Sequence, residues 1–140
     1  TWNIDRYGVK IIFYPNSLQS SAVFTFTPQQ TGHPLPPARL PVRFFRLDGR
    51  YDLDGSVSIN DIKLGLEYTL SELGEIGESS LQFYHYRAPL FGSDAEWVPQ
   101  TTVFDTEQHV ITCTTNELGE FAVAGVGTQL YLPAVFRNQP

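Results

Sequence analysis

Apolar and polar residues alternate with a period of two in short runs, and Gly, Pro and Asn-type punctuation cuts the runs off before any could become a long helix. Val9, Ile11 and Phe13 alternate with Lys10, Ile12 and Tyr14, and Pro15 with Asn16 closes that run. Phe24 and Phe26 alternate with Thr25 and Thr27. Ile62 to Tyr68 reads Ile, Leu, Leu, Tyr on one face and Lys, Gly, Glu on the other. This is the pattern of half-buried strands, whose side chains point to opposite faces in turn. Further runs are expected at Val42 to Leu47, ending in a turn at Asp48 and Gly49, at Leu81 to Arg87, and around Trp97, Val103, Ile111 and Phe121 to Val123. Ten Phe, seven Tyr and two Trp suit pleated surfaces, and eleven Gly with ten Pro supply the turns. The pattern predicts an all-β fold, an antiparallel β-sandwich of about eight or nine strands, better than it predicts a small barrel.

Two stretches break the alternation. Residues 28 to 41 hold five prolines (Pro28, Pro34, Pro36, Pro37 and Pro41). A connection this long is functional or crosses between sheets, and we expect a crossover. Residues 69 to 79 are expected to form one helical turn capped by Ser71, or a loop.

A chain of 140 residues suffices for one domain with a substantial core, and 41% hydrophobic content excludes disorder. The longest apolar runs fall far short of the ~20 residues a membrane helix needs. A net charge of −6 with Lys10 and Lys63 as the only lysines argues against nucleic-acid and anionic-membrane partners, which need a basic face. The chain holds no Met and begins at Thr1, from which we expect an extracellular or cell-surface protein after removal of a signal peptide. Cys113 is alone and shares a strand face with Ile111, the pattern of a buried, inert thiol.

Chemistry-bearing motifs are few. Placing Gly55 at position 6 of a calcium loop puts Asp52, Asp54 and Asp61 at positions 3, 5 and 12. Position 1, however, is Arg50, and the segment after Asp61 alternates as a strand where a helix is required. An acidic β-turn fits better, and these three aspartates remain the chain's calcium candidates. His33, His85 and His109 lack metal-site spacing. No nucleophile elbow, zinc-protease helix, phosphate loop or dinucleotide fingerprint occurs, so no catalytic residue, cofactor or enzymatic activity is expected. Trp97, Tyr84 and Tyr86, with Tyr51, are the candidates for a sugar-stacking platform, against the alternative that they are core or cross-strand pairs.

Taken together, residues 8 to 125 resemble the ZU5-like β-sandwich module of large secreted and cell-surface bacterial proteins. Gly8 to Leu18 resembles that module's first strand and Pro-containing turn, and Ile62 to Leu73 with Glu78 to Tyr86 resembles its strand, acidic loop and strand. Glu96 to Pro99, Val103 to Thr112 and Gly119 to Gly125 complete the likeness. Some ZU5-type proteins cut themselves at a His-Phe-Ser sequence just before the final strand. The matching positions here are Glu117, Leu118 and Gly119, so the resemblance implies no self-cleavage, for lack of the serine. The tail from Tyr131 to Arg137 is similar to a Tyr-Leu-Pro-hydrophobic segment of secreted bacterial proteins.

The expected organisation is an N-terminal extension over residues 1–7, a sandwich over 8–126 and a C-terminal strand or tail over 127–140. The expected function is a non-enzymatic structural or adhesive subunit that self-associates, or binds other cell-surface proteins, by lending a terminal strand to a neighbouring sheet. Tyr131, Leu132, Val135 and Phe136 are the expected contact residues, followed by Trp2 and Ile4. The alternative is a polysaccharide-binding or spacer module of a larger secreted protein.

Overall fold

The computed structural model describes residues 2–14, 22–51, 59–88 and 95–127, the side chain of Tyr51 excepted. Ten strands form among them: β1 (Trp2–Ile4), β2 (Val9–Phe13), β3 (Ala22–Gln29), β4 (Leu40–Tyr51), β5 (Ile62–Glu67), β6 (Gln82–Arg87), β7 (Glu96–Pro99), β8 (Thr102–Asp105), β9 (Val110–Thr115) and β10 (Gly119–Gly125). They make two five-stranded antiparallel sheets. Sheet 1 runs in the order β1-β2-β5-β9-β8, and sheet 2 in the order β3-β4-β10-β6-β7. The protein is a β-sandwich.

The alternation explains the layers. Ile62, Leu64 and Leu66 of β5, Val9 and Ile11 of β2 and Ile111 and Cys113 of β9 all face inward and are buried. Phe45 and Leu47 of β4, Phe83 of β6 and Phe121 and Val123 of β10 meet them from sheet 2. Each such fully buried large side chain contributes about 1.5–3 kcal/mol relative to exposure. Phe13 of β2 bridges the layers to Phe24 of β3 at 4.7 Å, while within sheet 2 Phe45 stacks on its cross-strand partner Phe121 at 5.5 Å.

Several expectations need correction. Asp48 and Gly49 do not end a strand, because β4 continues through them to Tyr51. Gly49 is directly opposite Phe24, and a Cβ there would come within 2.8 Å of that ring. The glycine makes room for an aromatic neighbour instead of turning the chain. Asp48 accepts hydrogen bonds from the Arg46 guanidinium at 2.9 and 3.0 Å on the same face.

Residues 30–39 do not cross between sheets either. They join β3 to β4, which are adjacent antiparallel partners, and fold back over the outer face of their own sheet. The short helix α1 (Leu70–Leu73) is capped by Thr69, not Ser71: the Thr69 hydroxyl accepts the Glu72 amide at 3.3 Å. Trp2 to Ile4, expected in an extension outside the sandwich, form the edge strand β1, paired with β2 through Trp2↔Ile11 and Ile4↔Val9.

Candidate functional site

The two outer faces of the sandwich are built differently. On sheet 2, alternation turns a cluster of apolar side chains outward beside the charged Arg46, Asp48 and Glu120: Tyr84 and Tyr86 of β6, Trp97 of β7, Phe44 of β4, and Ala122 and Ala124 of β10. A face like this needs a cover, and residues 31–37 supply one. The Trp97 indole donates to the His33 carbonyl at 3.1 Å. The His33 ring stacks on Tyr86 with centroids 3.8 Å apart and planes within 6°, while Nε2 lies 3.0 Å from Glu120 Oε2. Gly32 rests so close to Phe44 that a Cβ would fall 2.6 Å from the ring. Prolines suit this strap because they give up no backbone donor that would need a partner over an apolar surface.

Under the strap, Trp97 is 7% exposed and Tyr84 is 5% exposed. The structure therefore brings the three expected sugar-stacking residues Tyr84, Tyr86 and Trp97 together, but the protein's own chain occupies the face they form. Tyr86 meets Trp97 edge-on at 5.0 Å.

The outer face of sheet 1 has no such cover among the described residues. It forms a groove of about 760 Å³. The register sets one row straight across all five strands: Asn3, Lys10, Gly65, Thr112 and Val103. Gly65 at the centre carries no side chain, and a Cβ there would meet Thr112 and Lys10 at 3.6–3.8 Å, ordinary contact. Lys63 precedes this row on β5, and Glu67, Val110 and Asp105 form the next row. Both lysines of the chain thus face one groove, and neither has an ion-pair partner among the described residues. Asp5, Glu67, Asp105 and Glu107 line its other end. Sequence inspection identified the two lysines but not their convergence, which needs the pairing of β2 with β5.

The free edges form a third feature. β1, β8 and β7 are edges of three or four residues, whereas β3 is an edge of eight. Phe24 and Phe26 on its inner side are only half-buried, with Tyr7 and Phe13 packed beside them. A cleft of about 240 Å³ opens between the sheets next to the C-terminal half of β3, lined by Tyr7, Val9, Phe26, Pro28 and Phe45 among others.

At one end of the sandwich, the Tyr68 hydroxyl is buried without a well-aligned hydrogen-bond partner among the described residues. Burial raises its pKa, and the negative charges of Glu78 and Asp105 raise it further. His109 Nδ1 lies 3.2 Å from Glu78 Oε1, and His109 holds a left-handed backbone at φ 56. Cys113 is buried, and burial pushes its thiol up to about 12, the backbone at Leu64 pulling slightly the other way.

Of the remaining expected residues, Trp2 and Ile4 turn inward on β1 and pack half-buried against the core. Asp61 precedes β5, while Asp52 and Asp54 lie outside the described residues, as do Tyr131, Leu132, Val135 and Phe136. Among the described residues no three His, Cys, Asp or Glu side chains gather as a metal site. No helix there is long and apolar enough to cross a membrane. Comparison with known protein families, curated proteins and solved structures finds no match in any of the three.

Proposed function

We propose that this protein is a non-enzymatic structural or adhesive module of the cell surface that joins identical subunits by strand addition, with the β3 edge as acceptor. One observation carries the reading: β3 offers an eight-residue edge with no partner on its outer side among the described residues, beside half-buried phenylalanines and an apolar cleft. A long open edge is a template for another strand, and natural sheets usually blunt such edges. Here only Pro28, near one end, removes a donor. An added strand gains main-chain hydrogen bonds, and its alternate side chains enter the cleft between the sheets.

The donor is the segment holding Tyr131, Leu132, Val135 and Phe136, in which Leu130, Leu132, Ala134 and Phe136 alternate and suit such a cleft. Donor and acceptor are different surfaces, so the contact is head-to-tail and propagates. The resemblance to a secreted bacterial sandwich module agrees with this reading. Polysaccharide binding through Trp97, Tyr84 and Tyr86 has less support, because residues 31–37 already occupy that face.

The test is sedimentation velocity and electron microscopy of the full chain, with and without an excess of a synthetic peptide of residues 128–140. Self-association that the peptide caps, with fibres shortened or lost, is the expected result. A chain that stays monomeric at all concentrations, or assembles regardless of the peptide, refutes it.

A further inference from the structure

We propose that the groove on sheet 1 is a two-fold interface with a second copy of this chain, each copy seating its β8 rim in the groove of the other. The inference concerns the opposite sheet from β3 and does not rest on strand addition.

Shape is the first argument. Gly65 puts no side chain at the centre of the groove, where a Cβ would just touch Thr112 and Lys10 at 3.6–3.8 Å, so the floor is low between those two side chains. Its rim, β8, carries Val103 at 63% exposure on the groove side, and Phe104 of the same edge strand, opposite Ile111, is 41% exposed. A rim cannot fill its own groove, but a copy turned by a two-fold axis brings rim to groove twice over, as an isologous contact requires.

Charge is the second. The groove presents Lys10 and Lys63, and the rim and its following turn present Asp105 and Glu107. Two positive charges therefore meet two negative ones on each side of the axis. Neither lysine is paired within the chain among the described residues, so the match is available to a partner. An oligosaccharide fits less well: the lining contains no Trp or Tyr, and Phe104 is its single ring.

Size sets the strength. Five strands ~4.8 Å apart and three to six residues long give a face of only about 300–400 Å² on each copy, below the area of a stable specific interface. The pairing is therefore expected to be reversible and to weaken with salt, since exposed charge pairs are screened.

Sedimentation equilibrium of the full chain tests this with two charge-reversed variants, Lys10→Glu with Lys63→Glu, and Asp105→Lys with Glu107→Lys. With an excess of the residue 128–140 peptide present to cap strand addition, which propagates, the wild type should reach a closed dimer and grow no further. Each variant alone should dimerise at least ~10-fold more weakly. Mixed in equal amounts they should form a heterodimer of near wild-type affinity, since each groove then faces an opposite rim. That recovery also shows that both variants fold. Gly65→Ala, whose Cβ the fold accepts at ordinary contact distance, should weaken the wild-type dimer without a charge change. A wild type that remains monomeric at ~1 mM, far above the range of specific interfaces, overturns the inference. So do variants that dimerise like the wild type, or a mixture that fails to recover.

Discussion

Cys113 gives the sharpest quantitative test, because burial moves its thiol from 9.0 to about 12. The folded state resists forming the thiolate, whereas the unfolded chain forms it at the ordinary value. A folded pKa above the unfolded one means that stability is fully present below pH 9 and is lost as pH rises from there towards 12. Linkage over the first two of those units costs about 2.7 kcal/mol by about pH 11, and almost nothing at about pH 8. Tyr and Lys also titrate in that range, so the quantity to measure is a double difference. Urea unfolding of the wild type and of Cys113→Val is compared at about pH 8 and about pH 11, and the wild type should lose roughly 2–3 kcal/mol more. Equal losses in the two proteins refute the burial argument. The same argument predicts that a thiol reagent leaves native Cys113 unmodified at neutral pH and reacts only as the chain unfolds, whereas fast modification of folded protein contradicts an inert thiol.

Three further outcomes follow from local geometry. Trp97→Phe removes the donor to the His33 carbonyl and should cost about 1 kcal/mol in chemical unfolding; Gly32→Val, which pushes into Phe44, should lift the strap and make Trp97 fluorescence accessible to iodide. Gly49→Val places atoms inside contact distance of the Phe24 ring and should destabilise by about 1–3 kcal/mol, read from the denaturation midpoint; a neutral change would mean that the ring moves freely. Thr69→Ala removes the cap of α1 and should cost about 0.5–2 kcal/mol, with faster amide exchange at Glu72, whereas Ser71→Ala should leave that amide unchanged.

Alternation alone was enough to assign the sandwich, because a period of two leaves little choice of which side chains enter the core. Ile62, Leu64 and Leu66 could be read as one buried face before any pairing was known. Asp48 and Gly49 misled for a physical reason: a dipeptide that favours a turn in isolation is held extended here by the ring of Phe24 across the strand pair, a tertiary contact. Of the five prolines of residues 28 to 41, Pro28 and Pro41 belong to β3 and β4 and only Pro34, Pro36 and Pro37 lie in the connection, whose covering of Trp97 and Tyr84 depends on which sheet face the chain returns over. Lys10 and Lys63 are 53 positions apart in the numbering, and only the β2–β5 register puts them in one groove. That β3 is an open edge was illegible for the same reason, since edge position belongs to sheet order and not to any strand's own sequence.

Under the proposed function, the eight residues of β3 are the acceptor edge for a strand from another subunit. Hydrogen–deuterium exchange of the full chain at low and high protein concentration tests it most directly. The account predicts that amides of Ala22–Gln29 become protected as concentration rises, and that adding the 128–140 peptide at low concentration protects the same amides. Unchanged exchange in β3 while the protein demonstrably associates would contradict it.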